Sequence, residues 1–286
     1  MTSALNDPDI QEAVRCAQTC LESDRDSAFK RMAEEVISRD PVLARIFISE
    51  IKDPDFKTPV LLDLCLSTLD LNDIQGLRLA SSTCETTDPR VWLAIYRAVW
   101  LFANGQLAQA REACLGIEDI LFLIKLRIFF ARHTKSAVDQ LLLNQTTDQL
   151  QSIADENARE LGEHIGHEFI FIAKSKDPYW LAKVEWLKVS RRARLNRLIN
   201  LEMPPEVLTT EICLIAGTGL TNLALQLAKK HKTTLDTESD EYNYYFSVGY
   251  SIQCQVDKAR RLAEKIRDPE KRALAFVQLY LARLNN

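Results

Sequence analysis

Glycine is scarce in this chain, with eight in 286 residues, and alternating runs of β-branched side chains are scarce as well. Strands and tight hairpins draw on both, so their shortage argues against a sheet-based domain. No apolar run approaches the ~20 residues that a membrane-spanning helix needs. The most apolar stretches, around Ile120–Ile124 and Phe169–Ala173, are soon broken by charge. Met1–Asn6 carries neither a basic nor an apolar leader region, so no secretory signal is expected. Cysteines number seven, are scattered, and are never spaced C-x-x-C. That pattern speaks against zinc ribbons and disulfide frameworks and for free thiols packed as small apolar groups in a reducing compartment. The expectation is a cytoplasmic protein with no membrane span.

Catalytic signatures are also missing. There is no G-x-S-x-G elbow and no H-E-x-x-H helix, and with only His133, His164, His167 and His231 available no triad can be assigned. Gly217-Thr218-Gly219 lacks the lysine and preceding strand of a phosphate loop and reads as a turn between helices. A formal charge of −4 and a pI near 5.7 argue against a surface built as a whole to neutralise phosphate.

What the chain has in quantity is helix formers and helix starts. Leu, Ala, Arg, Glu, Gln and Lys dominate. Six of the nine prolines follow an aspartate, at Asp7-Pro8, Asp40-Pro41, Asp53-Pro54, Asp88-Pro89, Asp177-Pro178 and Asp268-Pro269. An aspartate carboxylate accepts the free N–H groups of a first helical turn, and proline suits the next position, where no N–H is needed. Cap signals and apolar period together place helix starts near positions 8, 25, 41, 57, 73, 89, 107, 118, 134, 148, 178, 191, 205, 220, 239, 256 and 269. One long stripe of apolar residues runs from Asp148 to about Lys174. No long linker interrupts the chain, so residues 1–286 are expected to form one continuous all-α body, its weakest seam at 143–147 or at 203–205.

Small residues recur four apart on successive second helices: Gly76 with Ala80, Ala110 with Cys114, Ala224 with Ala228, and Ala259 with Ala263. The interval is about 34 residues within each half of the chain, which fits stacked helical hairpins. Ala98, Leu101, Gly105, Ala110, Cys114 and Ile117 occupy the small, large, turn-glycine, small, small and apolar positions of the tetratricopeptide-like repeats, which this chain resembles over about a third of its length. Tyr245, Gly249, Ala259, Ala263 and Pro269 form a looser match whose turn must be about two residues shorter. The resemblance implies an α-solenoid, a right-handed superhelix of antiparallel helical hairpins whose inner face holds a peptide or protein segment.

Three constellations stand out against ordinary structural readings. Glu160, Glu163, His164, His167 and Glu168 could aim donors at a cation, but the Glu-x-x-His pairs of a di-iron bundle are absent, and a salt-paired solvated face explains them more simply. The most asymmetric charge run contains Lys183, Lys188, Arg191, Arg192, Arg194 and Arg197 against the single acid Glu185. Such a helix could grip an acidic peptide, a phosphate backbone or an anionic membrane surface, or could pair with acids on the next helix. The acids Asp236, Glu238, Asp240 and Glu241 lead into Tyr242, Tyr244, Tyr245 and Phe246, with Ser239 as the expected helix cap. Tyrosines presented together are frequent interface anchors.

The sequence therefore points to a non-enzymatic interaction scaffold, adaptor or chaperone-like binder, with Lys183, Lys188, Arg191, Arg192, Arg194, Arg197, Tyr242, Tyr244 and Tyr245 as partner-binding residues. No catalytic residue, metal ligand or cofactor is assigned, and the oligomeric state is left open. The alternatives are binding of nucleic acid or an acidic ligand by the 183–197 helix, and metal binding or enzymology at the 160–168 cluster.

Overall fold

A computed structural model describes residues 3–85, 88–157 and 205–284. Its described residues are all-helical, without a strand among them. The α-helices are α1 (Pro8–Thr19), α2 (Glu22–Val36), α3 (Pro41–Glu50), α4 (Pro54–Thr68), α5 (Leu71–Ser81), α6 (Pro89–Ala103), α7 (Leu107–Ala113), α8 (Ile120–Thr134), α9 (Ala137–Asn157), α10 (Pro205–Gly217), α11 (Thr221–Lys230), α12 (Asp240–Ile252), α13 (Val256–Ala263) and α14 (Pro269–Leu284). The chain divides into two compact units, Met1–Val60 with Lys188–Asn286, and Leu61–Leu187.

The aspartate-proline pairs do what their chemistry predicts. Asp7, Asp40, Asp53, Asp88 and Asp268 each accept a first-turn backbone N–H, from Asp9, Leu43, Asp55, Arg90 and Lys271 respectively, at 2.8–3.0 Å. Asp177 lies outside the described residues. Ser239 caps α12 as expected, its hydroxyl accepting from the Tyr242 N–H at 3.2 Å. One expected start is corrected. Position 148 lies inside α9, which begins at Ala137 and runs unbroken to Asn157, and Thr146 donates its hydroxyl to the Leu142 carbonyl within it. The pair Gly76 and Ala80 is one residue out of register: the core-facing positions of α5 are Leu77 and Ser81, both buried.

In the first unit, α10 pairs with α11 and lies against α12, and α12 pairs with α13 and lies against α14. The partner of α14 is α1, from the opposite end of the chain, and α14 also lies against α2, which pairs with α3. The last helix is thus enclosed rather than terminal. Ala273–Val277 and Leu279–Ala282 are all buried, which is why its sequence is apolar around most of its circumference.

Charge fixes this junction. Asp9 in the first turn of α1 is fully buried and forms ion pairs with Arg283 of α14 and with Arg260 of α13, the latter at 2.5 Å. Arg283 also reaches Asp7, Arg272 meets Glu12 at 2.9 Å, and the Tyr280 hydroxyl donates to Asp40 at 2.8 Å. A second device occurs twice. Asp26 of α2 accepts the N–H groups of Lys52 and Asp53, and Asp240 of α12 accepts those of Arg267 and Asp268. Both turns read Ile-(Lys/Arg)-Asp-Pro, so the same carboxylate staples the same turn to the helix that precedes it by one hairpin.

In the second unit α5 packs on α6, α6 on α7, and α8 on α9. The Trp92 ring lies 4.8 Å from that of Phe122, and Phe102 stacks on Phe130 at the same separation. Asp139 near the start of α9 is fully buried, held by a two-pronged Arg111 guanidinium at 2.6–2.7 Å and by the Thr134 hydroxyl. The Arg111 hydrogen bonds hold its carboxyl below the ordinary carboxylate range.

The hairpin turns repeat in backbone conformation. Leu69, Gly105, Lys135, Gly219 and Cys254 all have positive φ, between 50° and 86°, and each stands two positions before a second helix begins. In three hairpins the side chains follow in register: Gly105 is followed by Ala110 and Cys114, Gly219 by Ala224 and Ala228, and Cys254 by Ala259 and Ala263, all six small residues buried. The turn counterpart of Gly105 is therefore Cys254. Gly249 sits inside α12, and the expected shortening by about two residues is not seen, since both turns have the same length. A left-handed residue with a Cβ costs about 1–2 kcal/mol. Replacing Cys254 by glycine is accordingly expected to raise stability by about 0.5–1 kcal/mol, net of the flexibility glycine adds to the unfolded chain. Urea denaturation would show the midpoint moving up; a midpoint moving down would mean that the cysteine side chain contributes packing the exposed turn does not suggest.

Candidate functional site

Of the expected binding residues, Tyr242, Tyr244 and Tyr245 lie in the structure, on the first two turns of α12. All three are half-buried. The period of the helix separates them. Tyr242 stacks on buried Phe246, ring centroids 4.3 Å apart, and packs against the cluster of Ile212, Cys213 and Ala216 on α10. Tyr245 covers Gly217, where an added Cβ would come 2.8 Å from its ring. Tyr244 meets Tyr245 edge-on at 5.1 Å and lies within electrostatic reach of Arg31, Glu35 and Glu270. Burial pushes the Tyr244 phenol well above its ordinary value, so it stays a neutral hydrogen-bonding group.

Around Tyr244 the surface is mixed. Arg31 of α2 pairs with Glu270 of α14 at 3.0 Å, and Glu270 also accepts from Ser27. Arg31 keeps 45% of its side chain exposed and Glu270 25%, so this rim is wet. The acids that precede the tyrosines are engaged: Glu238 with Lys265, Glu241 with Lys271, and Asp240 with the turn before α14. They serve the α12–α14 joint.

The remaining sequence candidates, Lys183, Lys188, Arg191, Arg192, Arg194 and Arg197, and the cluster Glu160, Glu163, His164, His167 and Glu168, lie outside the described residues. Among the described residues no three metal-ligating side chains converge, and no helix is long and apolar enough to cross a membrane. His133 gives its Nδ1 to the Phe129 carbonyl at 2.9 Å and packs on aromatic rings. Gly217-Thr218-Gly219 forms the α10–α11 turn.

All seven cysteines are free, and six are buried. Burial pushes the thiols of Cys16, Cys114 and Cys213 up to about 11, and raises Cys20 and Cys65 as well. A thiol that stays protonated at neutral pH is a poor nucleophile. The arrangement can bury aromatic surface and exchange hydrogen bonds at a wet rim.

Sequence reasoning missed the Asp9 junction and three of the five positive-φ turns, those at Leu69, Lys135 and Cys254. Asp9 was masked by its place beside a capping aspartate, and three of the five turn positions carry ordinary side chains. Comparison with known proteins finds no family model that matches this chain, and no curated protein or solved structure similar to it.

Proposed function

We propose that this chain is a non-enzymatic interaction protein, a stack of helical hairpins of tetratricopeptide-like type that holds a segment of a partner protein along the face shared by the first helices of its hairpins. The packing order of the first unit carries this reading: α10, α12, α14 and α2 lie in succession, each paired with a second helix, α11, α13, α1 or α3. The recurring turn register of Gly105, Gly219 and Cys254 supports it independently. Tyr244 and Tyr245, with Arg31 and Glu270 beside them, supply the aromatic and polar contacts that such a face would use, since tyrosine and arginine dominate interface energetics. Free, protonated thiols fit a reducing compartment and a role without covalent chemistry.

Photo-crosslinking tests the face. A photoreactive phenylalanine analogue in place of Tyr244 should yield adducts with one or a few discrete proteins, whereas the same group in place of exposed Lys230 on α11 should yield few. Equal adducts at both positions, or none at either together with turnover of a small molecule by the purified protein, would remove the proposal.

A further inference from the structure

The second unit carries a surface that the tyrosine face does not account for. Along the outer side of α6, Arg90, Leu93, Arg97 and Trp100 are all exposed. Residues seven apart nearly coincide around a helix. Leu93 and Trp100 therefore form one line, and Arg90 and Arg97 form a second line next to it. The opposite side of the same helix holds Trp92, Ile95 and Val99, which are fully buried. Leu93 is 62% and Trp100 40% exposed, and on neighbouring α5 Leu79 is 64% exposed. Arg78 of α5 places its guanidinium over the Tyr96 ring, 5.7 Å from its centre, which ties the two helices into one surface.

Charge along α6 itself is of one sign, the exposed Asp88 just before it being engaged as the helix cap by the Arg90 N–H. From Pro89 to Arg111 the chain contains no acid. Neither the Arg90 nor the Arg97 side chain has an ion pair or hydrogen bond among the described residues. Scattered exposed leucines are ordinary on a protein surface. Apolar side chains in register with a line of unpaired cations are a different matter, because the pattern is complementary to one kind of ligand. An amphipathic helix with leucines on one side and carboxylates flanking them would lay its apolar line on Leu93 and Trp100 and bring its acids to Arg90 and Arg97. Tryptophan and arginine are also the side chains that contribute most per contact at protein interfaces. A polynucleotide fits less well, since two or three cations on a chain of net charge −4 neutralise little of a phosphate backbone.

We infer that the outward stripe of α6, with Arg78 and Leu79 of α5 beside it, docks an acidic amphipathic helix of a partner protein. This site is separate from the tyrosine face and stands whether or not that face binds anything.

The test uses the full chain and a fluorescent synthetic peptide of about four helical turns, with leucine on one face and glutamate elsewhere, and a control peptide with glutamine for glutamate. The acidic peptide is expected to bind with an affinity that falls as salt rises. Arg90→Glu with Arg97→Glu should weaken it by about tenfold or more, and Trp100→Ala by about tenfold. Lys229→Glu with Lys230→Glu on α11, which changes net charge by the same amount, should leave binding as it was. All of these side chains are exposed, so the variants are expected to retain the fold, which circular dichroism checks. Equal binding of the glutamine peptide, or undiminished binding by the charge-reversed α6 variant, overturns the inference. So does binding of phosphatidylserine vesicles without binding of the peptide, or a dimer of the chain itself that Trp100→Ala dissociates.

Discussion

Replacing Gly249 by alanine will destabilise the protein by about 3 kcal/mol, although the same change in an exposed helix interior stabilises by about 1 kcal/mol. The difference lies in what a Cβ would meet. At Gly249 it would overlap the carbonyl oxygen of Ala216 and come within 2.9 Å of that carbonyl carbon and 2.8 Å of Thr221 Cγ2. Backbone cannot rotate aside as a side chain can, so α12 must move away from α10. That movement opens the cluster that contains Phe246, Ile212 and Ala216, all fully buried. Overpacking of this kind costs about 1–3 kcal/mol and more where backbone is the obstacle. Gly76→Ala on α5 supplies the contrast, because its Cβ would find only Leu61 Cδ2, at 3.9 Å. Urea denaturation of the two variants should move the midpoint in opposite directions. If both move up, α12 and α10 are not in backbone contact at Gly249 and Ala216.

The same glycine shows where the sequence could and could not be read. Helix starts were legible because an N-cap is a local bargain between one carboxylate and the N–H groups just after it, and five of the aspartate-proline pairs behave accordingly. Turn conformation was legible only where glycine advertises it, at Gly105 and Gly219. Leu69, Lys135 and Cys254 adopt the same left-handed geometry with ordinary side chains, and nothing in their chemistry announces it. Nor does a glycine by itself announce a turn, since it is equally at home in a left-handed bend and under a crossing backbone, as Gly249 is. Register on α5 slipped by one residue for a related reason: Gly76 and Ala80 are small, but Leu77 and Ser81 face inward, and size alone does not tell a contact face from a neighbouring one. The repeat Ala-Arg followed by an inward small or apolar residue and Ile, seen at Ala44-Arg45, Ala110-Arg111 and Ala259-Arg260, was present in the sequence but passes unnoticed in a search for small pairs only. Of the expected binding residues, the tyrosines were rightly grouped on one helix. Their division between core packing and a wet rim depends on which helices surround α12, and that is long-range information.

Long-range information is also what pairs α1 with α14, and Asp9 carries the second large expected effect. Asp9→Ala should destabilise by about 3 kcal/mol, toward the lower end of what breaking a buried ion pair costs. The carboxylate is fully buried, but Arg283 and Arg260 keep 32% and 34% of their side chains exposed, and Arg283 retains Asp7. Water can therefore take up part of the charge that is left behind. Asp9→Asn separates charge from packing: it preserves volume and removes the ion pairs, so it should lose most of the same free energy. Asp7→Asn should lose less, because Asp7 is partly solvated and Arg283 keeps its other partner. Hydrogen exchange locates the effect. In the Asp9 variants the amides of α14 should lose protection together with those of α1, since α14 is buried by α1 on one side and by α2 and α12 on others. An ordinary terminal helix would fray alone, and loss of protection confined to α1 would mean that the C-terminal helix holds its place without its partner from the other end of the chain. An unmoved denaturation midpoint in Asp9→Ala would show instead that apolar contact alone joins the two termini, with the arginines free to find water.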